Sequence, residues 1–134
     1  MSRRRTIHLY SAYAWLAASC VALASHPATA QSVPQAHAGW LGETGLASWY
    51  GRLQQGRRTA SGRRFDAHAL TAAHPWLPFG TLVRVTLSGT GRSVVVVITD
   101  RLASTHRIID LSRAAAIKLG MLGEGLARVS LSPI

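Results

Sequence analysis

Alternating apolar and polar side chains mark the second half of the chain. Residues 81–87 alternate in this way, which is the period of a strand that buries one face. Val94 to Ile98 form an unbroken β-branched run, which is typical of a strand buried on both faces. Residues 88–91 contain two Gly and predict a turn. The pattern therefore predicts two consecutive strands, at residues 81–87 and 93–99.

Shorter segments predict the remaining elements. A helix is expected over residues 113–119, with Ser112 as its N-cap and Gly120 just after its end. Five or six short strands with one small helix, and no internal repeat or strand–helix alternation, predict a mainly β fold that closes into a compact barrel. The other strands are predicted at residues 46–50, 107–110 and 127–131.

The first thirty residues have the layout of a secretory signal peptide. Three Arg at positions 3–5 precede an uncharged apolar run at residues 9–24, and Ala28-Thr29-Ala30 forms a small-residue cleavage site. The apolar run has about 16 residues, fewer than the roughly 20 that a membrane-spanning helix needs. We therefore expect export to the periplasm or cell envelope, with cleavage after Ala30.

Cys20 permits a second interpretation of this segment, as the lipidation site of a lipoprotein. The preceding residues match a lipobox poorly, because Leu16 lies one position too far upstream. We therefore favour a mature chain from Gln31, which would meet a membrane only if it were lipidated at Cys20. We expect a linker at residues 31–43, a single folded domain at residues 44–134, and a monomer.

Composition narrows the class of protein. The chain has 134 residues, 48% of them hydrophobic, which excludes a disordered polyelectrolyte. Cys20 is the single Cys, so a disulfide scaffold is excluded as well. Fifteen basic residues against five acids give a net charge of +10, which falls to +7 once the signal peptide is removed. That charge suits a polyanionic cell wall; nucleic-acid binding rests on charge alone, and export argues against it.

Short motifs between residues 45 and 131 resemble the RlpA-like (rare lipoprotein A) family of double-psi β-barrel proteins. Each motif is short, but their order and spacing together are specific. The resemblance covers essentially the whole mature domain and implies a single six-stranded double-psi β-barrel with one or two short helices. The matching stretches are residues 45–51, 58–62, 65–66, 70–74, 77–81, 83–86, 91–96, 100–101, 107–112, 114–116 and 119–120.

The resemblance implies a peptidoglycan lytic transglycosylase, a carbon–oxygen lyase of cell-wall remodelling. Such an enzyme cleaves the MurNAc–GlcNAc bond of glycan strands without water, leaves a 1,6-anhydro-MurNAc end and needs no cofactor. The catalytic pair that the family implies falls on Asp100 and His74. A single carboxyl group suffices, because the sugar's own C6 hydroxyl is the nucleophile. Asp100 would protonate the leaving oxygen and then accept the C6 proton.

The residues next to Asp100 and His74 predict how the side chains of this pair are arranged. If the strand extends through Asp100, the Arg101 side chain points to the opposite side from the carboxylate. Pro75 keeps His74 out of helical geometry. The His74 ring could then hydrogen-bond the Asp100 carboxyl or a substrate oxygen; the alternative is a partly buried structural His.

Other candidates have a structural alternative beside the functional one. Asp110 is a second possible catalytic carboxylate, or it caps the helix that follows. Asp66 lines the groove, or it holds a turn. Tyr50 and Trp76, with Trp49, could stack on sugar rings or fill a small core. Arg101 completes the expected substrate-binding set. The spacing of the His residues predicts no metal site.

The chain departs from the family at two places. An acid usually follows Ser-Gly, but Ser61-Gly62 precedes Arg63 and Arg64. The Asp-Arg-Gly-Pro loop reads Asp-Arg-Leu-Ala at residues 100–103. These changes favour the alternative of a non-catalytic, expansin-like barrel that binds peptidoglycan without cutting it. Because the chain ends soon after the last predicted strand, we expect no C-terminal domain for septal targeting.

Overall fold

A computed structural model describes residues 39–134 of the chain. The signal peptide, its cleavage after Ala30, lipidation of Cys20 and most of the expected linker lie outside the described residues. Within residues 39–134, no helix is both long and apolar enough to span a membrane. The described part contains six strands, one α-helix and one short 3₁₀ helix at Arg52–Gln54. The strands are β1 (Glu43–Trp49), β2 (Thr71–Ala73), β3 (Leu82–Leu87), β4 (Ser93–Asp100), β5 (Arg107–Leu111) and β6 (Ala127–Pro133), and the helix is α1 (Arg113–Leu119).

The six strands close into one barrel, in the order β1-β5-β2-β4-β3-β6. Two pairs, β1 with β5 and β2 with β4, run parallel, whereas the other four pairings are antiparallel. Closure leaves no open sheet edge among the described strands. The interior is filled by apolar side chains from all six strands, together with α1. The predicted mainly β fold is confirmed, and its architecture is the double-psi β-barrel.

Strand β2 had no predicted counterpart. Thr71-Ala72-Ala73 is three residues long, and Ala has little intrinsic preference for strands, so the local pattern carries no strand signal. Its conformation comes from its neighbours, because β2 lies between β4 and β5 and hydrogen-bonds to both. Tertiary pairing therefore places the residue before His74 at the centre of the barrel wall.

Helix α1 begins and ends as predicted. The Ser112 side chain accepts a hydrogen bond from the Ala115 amide, and Gly120 has the left-handed conformation with a φ of 85°. Ser112 also donates to the Ala69 carbonyl at 2.6 Å, which ties the helix to the segment that enters β2. Ser112 therefore both caps the helix and holds the segment at Ala69 beside the barrel wall.

Candidate active site

Strand register brings the two predicted carboxylates into one row across the barrel wall. Ser48 on β1 pairs with Asp110 on β5, Asp110 pairs with Ala73 on β2, and Ala73 pairs with Asp100 on β4. Neighbouring strands lie roughly 5 Å apart, so the backbones at Asp100 and Asp110 are about 10 Å apart. The two side chains nevertheless meet very different surroundings.

The Asp100 carboxylate lies at the end of β4 and is half-buried. Its Oδ1 atom accepts hydrogen bonds from the amides of Ala60 at 2.9 Å and Arg101 at 2.8 Å. Within residues 39–134, no hydrogen bond reaches Oδ2. Asp100 lines a cleft of about 300 Å³ with Tyr50, Arg57 and five other residues. One carboxylate oxygen is thus fixed, and the other is available to a ligand in the cleft.

A tight turn over residues 58–64 supplies one of the two amides. Residues Arg58 and Arg64 form an isolated antiparallel bridge at its base. Within it, the Thr59 amide and hydroxyl both donate to the Arg63 carbonyl, and the Ser61 amide donates to the Thr99 carbonyl at 3.2 Å. The Thr-Ala-Ser-Gly motif therefore folds so that the Ala60 N–H points at Asp100.

The Arg101 side chain turns away from its neighbouring carboxylate, as predicted. Its Nη1 donates to the Leu77 carbonyl at 2.8 Å, and its guanidinium lies 4.0 Å from the centre of the Phe79 ring. In the described chain, no ion pair joins Arg101 to Asp100. Arg101 still lines the cleft, so it can contact a ligand without neutralising Asp100.

The His74 ring is fully buried and does not bond to Asp100. Its Nε2 lies 2.8 Å from Oε1 of Glu43, and its Nδ1 accepts from the amides of Leu77 at 3.2 Å and Trp76 at 3.4 Å. Of the alternatives that the sequence left open for this ring, the bond to the Asp100 carboxyl is therefore not formed. The reason is local: after Pro75 the chain turns back and its amides occupy Nδ1. The His74 main-chain N–H instead donates to the Asp100 carbonyl at 3.2 Å.

Hydrogen bonding also fixes the protonation of His74. Because Nδ1 accepts from two amides, the ring proton is on Nε2, which donates to the Glu43 carboxylate. Burial lowers the pKa of His74 below its ordinary value, against the opposing effect of Glu43. The side chain is therefore a neutral imidazole at neutral pH.

Asp110 is buried and fully engaged by partners. Arg107 donates to it twice, from Nε to Oδ1 at 2.8 Å and from Nη2 to Oδ2 at 3.2 Å, and Ser48 adds a short hydrogen bond to Oδ1. Asp110 in turn raises the pKa of Arg107. The predicted capping role for Asp110 is wrong, because Asp110 belongs to β5 and Ser112 caps α1.

Asp66 holds a turn, one of its two predicted roles. It is exposed, and its Oδ1 accepts from the His68 amide at 2.9 Å. It also lines a second cleft, of about 480 Å³, with Arg63 and Arg64. Arg63, which stands where the family has an acid, is therefore beside this second cleft and not among the residues that line the Asp100 cleft.

The aromatic candidates divide between two places. Tyr50 lies in the Asp100 cleft, edge-on to Phe65 at 5.3 Å between ring centres. Burial and then the nearby charges of Asp100 and Asp110 raise the pKa of Tyr50, so its hydroxyl stays protonated. Trp76 instead makes edge-on contacts with Trp40 and His74. Trp49 is half-buried against the core.

Two contributions to this site had no signal in the sequence. Glu43 was expected in a linker, 31 positions before the His74 that it contacts. Arg107 neutralises Asp110 because the conformation of β5 brings these two side chains, three positions apart, into contact. Among residues 39–134, no group of three or more His, Cys, Asp or Glu side chains could hold a metal ion.

The fold and the site define a small, closed double-psi β-barrel domain with an accessible carboxylate in a surface cleft. Residues 42–131 match the model of the family described as "Lytic transglycolase", and the chain belongs to that family. It is 49% identical over 94 residues to the endolytic peptidoglycan transglycosylase RlpA of Neisseria meningitidis. The match takes in 69% of this chain and 39% of that relative, so the chain spans well under half of the length of such curated relatives.

Solved structures share the barrel. The Streptomyces papain inhibitor is 28% identical, with a TM-score of 0.55 over 69% of this chain and 94% of the inhibitor. An expansin from Clavibacter michiganensis is 24% identical, with a TM-score of 0.55 over 70% of this chain and 50% of the expansin. The expansin likeness supports the fold alone.

Proposed function

We propose that this protein is an exported lytic transglycosylase that cleaves MurNAc–GlcNAc bonds of peptidoglycan. Membership of the lytic transglycolase family and the name of its Neisseria relative support this activity. The observation that carries the proposal is the Asp100 carboxylate. Two amides hold one of its oxygens, while the other faces a cleft with no partner among residues 39–134.

The arrangement favours a mechanism with one carboxyl group. Ordinary glycoside hydrolysis uses two, one on each side of the scissile bond. Here the other carboxylate in the same row, Asp110, is neutralised by Arg107 and held by Ser48. Asp110 is therefore a poor nucleophile or base, and Asp100 is left to act as both acid and base.

The proposed reaction is an internal transfer. Protonated Asp100 gives its proton to the glycosidic oxygen, and the bond from that oxygen to C1 of MurNAc breaks. The C6 hydroxyl of the same sugar attacks C1 and forms the 1,6-anhydro bond. Asp100 accepts the C6 hydroxyl proton, which restores its starting state. No water is consumed, and a proton leaves and returns at the same carboxyl oxygen.

Digestion of purified sacculi tests this activity. We expect the purified protein to release muropeptides with 1,6-anhydro-MurNAc ends, detected by mass spectrometry. Asp100→Asn should reduce the yield at least about a hundredfold, the scale of losing an acid–base group. Glu124→Gln is the matched control, since Glu124 is exposed and lines neither of the two clefts; it should retain activity. Equal yields from Asp100→Asn and wild type would overturn the role of Asp100.

A binding assay separates the enzyme from a wall-binding barrel. Sedimentation with sacculi measures binding, independently of cutting. Sacculus binding by the wild type without any anhydro product would contradict the transglycosylase proposal and favour the expansin-like alternative. Retained binding by Asp100→Asn with loss of product supports the enzyme.

We also propose that the chain is exported through its N-terminal segment. The positive residues, the apolar run and the Ala28-Thr29-Ala30 site support export. Mass spectrometry of the protein from the cell envelope should give a mature N-terminus at Gln31. A lipid-modified N-terminus at Cys20, abolished by Cys20→Ser, would show the lipoprotein alternative instead.

A further inference from the structure

A partly buried pair connects the first strand of the barrel to the turn that follows β2. Glu43 is the first residue of β1, and its carboxylate bonds to Nε2 of His74 at 2.8 Å. The His74 side chain has no exposed surface and the Glu43 side chain is 31% exposed. Rings of Trp40 and Trp76 pack edge-on around the imidazole, at 6.3 and 5.2 Å between centres. A bond to a carboxylate in such surroundings is stronger than the same bond in water.

Both nitrogens of this imidazole have hydrogen-bond partners. Nε2–H donates to Glu43, and Nδ1 accepts from the amides of Trp76 and Leu77. The opposite tautomer would place a proton between Nδ1 and two N–H donors, and would leave the carboxylate facing an unprotonated nitrogen. Glu43 and the two amides therefore favour the same tautomer, the one that lets the ring hold the turn at residues 74–77.

That turn is bonded to Asp100 along two routes. The His74 N–H donates to the Asp100 carbonyl at 3.2 Å. The Leu77 carbonyl accepts from Nη1 of Arg101 at 2.8 Å, and the Arg101 amide donates to Oδ1 of Asp100 at 2.8 Å. Both routes start within the turn that the imidazole braces through the amides of Trp76 and Leu77. The position of the Asp100 carboxylate thus depends on the Glu43–His74 contact, to which these hydrogen bonds connect it.

We infer that Glu43 is a positioning residue, which acts through His74 to hold the Asp100 carboxylate toward the cleft. The effect on catalysis rests on the proposed function, whereas the effect on His74 and Asp100 does not. Without the Glu43 carboxylate, a buried Nε2–H loses its acceptor, and only the two amides at Nδ1 still hold the ring. Asp100 is then held less tightly, which lowers kcat and leaves KM little changed, because the substrate contacts remain.

Nuclear magnetic resonance tests the positioning without any substrate. In wild type, the ¹⁵N shifts of His74 should show a single Nε2–H tautomer. Glu43→Ala should shift the His74 Nε2–H signal, which loses its acceptor, and the amide signals of Ala60 and Arg101, the donors to Asp100. Glu43→Gln keeps an acceptor oxygen at the same reach and should restore both signatures. Glu124→Ala removes an exposed acid elsewhere and should change neither.

Kinetics on sacculi complete the test. Glu43→Ala should lower kcat roughly ten- to a hundredfold, the scale found when a hydrogen-bond partner that orients a metal-ligating His is removed. Glu43→Gln should recover most of the loss. If Glu43→Ala fails to fold, Glu43→Asp takes its place, because its shorter side chain cannot reach Nε2.

Each outcome decides between the two proposals. Unchanged His74 Nε2–H and amide signals in Glu43→Ala, or a kcat equal to that of Glu124→Ala, would overturn the positioning role. If wild type yields no anhydro product while Glu43→Ala still disturbs His74 and the two amides, the proposed function fails and the positioning stands.

Discussion

For Asp100 and Asp110, the hydrogen-bond partners and not the residue type decide whether the carboxylate is available for chemistry. Both stand in one row of the barrel wall. Asp110 meets a guanidinium and a hydroxyl that bind both of its oxygens. Asp100 meets two amides that bind one oxygen and leave the other to the cleft. Chemistry that needs a proton to come and go is therefore possible at Asp100.

Tyr50 gives a prediction at the scale of one hydroxyl group. Its raised pKa keeps it a hydrogen-bond donor beside Asp100, so it can bind a sugar oxygen or steady the carboxylate. We expect Tyr50→Phe to lower kcat/KM about five- to thirteenfold, the value of one hydrogen bond of about 1–1.5 kcal/mol. Anhydro-muropeptide release by Trp49→Phe, a change at the neighbouring half-buried position, is the control. Equal kcat/KM for Tyr50→Phe and wild type would exclude this role.

His74 predicts a pH dependence of stability. An unfolded His has its ordinary pKa of about 6.5, and burial lowers the pKa of His74 in the fold, with Arg101 reinforcing and Glu43 opposing the shift. As pH falls, the unfolded state binds the proton first. The stability that neutral His74 provides is thus complete above about pH 6.5 and is lost as pH falls toward the lowered folded value.

Urea denaturation at successive pH values measures this loss. The wild-type free energy of unfolding should fall below about pH 6.5 more steeply than that of His74→Gln, which has no imidazole to protonate. His68→Gln removes an exposed His and should follow the wild-type curve. Parallel curves for wild type and His74→Gln would contradict the prediction.

At the scale of elements, α1 and β2 depend on each other through one hydroxyl. Ser112 accepts from the Ala115 amide at 3.2 Å and donates to the Ala69 carbonyl at 2.6 Å. Removing it leaves the Ala69 carbonyl without this donor and deprives the helix of its cap. Ser112→Ala should therefore lower the free energy of unfolding by about 2 kcal/mol, as the sum of a cap and a buried hydrogen bond.

Urea denaturation of Ser112→Ala beside Ser88→Ala checks this expectation. Ser88 is exposed, and its replacement should change stability by less than about 0.5 kcal/mol. A similarly small change in Ser112→Ala would mean that the cap contributes little to the barrel.

At the scale of the whole molecule, positive charge gathers beside the clefts. Five Arg lie between residues 52 and 64, and the same stretch has no acid. Arg57 and Arg58 line the Asp100 cleft, and Arg63 and Arg64 line the second one. A polyanionic wall with stem-peptide carboxylates would be attracted to this face, and salt would weaken the attraction.

We expect sacculus binding to weaken as salt rises from about 0.05 to 0.5 M, since screening shortens the reach of surface charges. The double variant Arg57→Gln with Arg63→Gln should bind more weakly and with a shallower salt dependence. Arg84→Gln with Arg128→Gln removes the same charge from exposed positions on β3 and β6, outside this Arg-rich stretch, and serves as control. Equal losses in the two double variants would mean that total charge, and not its placement, governs binding.

Local patterns predicted most of the elements because strong periodicity is a local property. The alternating segment predicted β3, and the β-branched run after it predicted β4. Ser112 and Gly120 marked the two ends of α1. Strand ends moved by up to three residues, as at β1, where pairing with β6 extends the strand back to Glu43. Strand β2 has no periodicity to detect and was missed.

The sequence by itself determined that the chain forms a small β-barrel of this family, because order and spacing of the motifs carry that information. It also limited the acid chemistry to five carboxylates. Only the tertiary structure decided which carboxylate is available. Barrel closure turns Arg101 toward Leu77 and brings Glu43 to His74. These partners lie up to 31 positions apart and are selected by strand register, and register is set by the packing of the whole barrel.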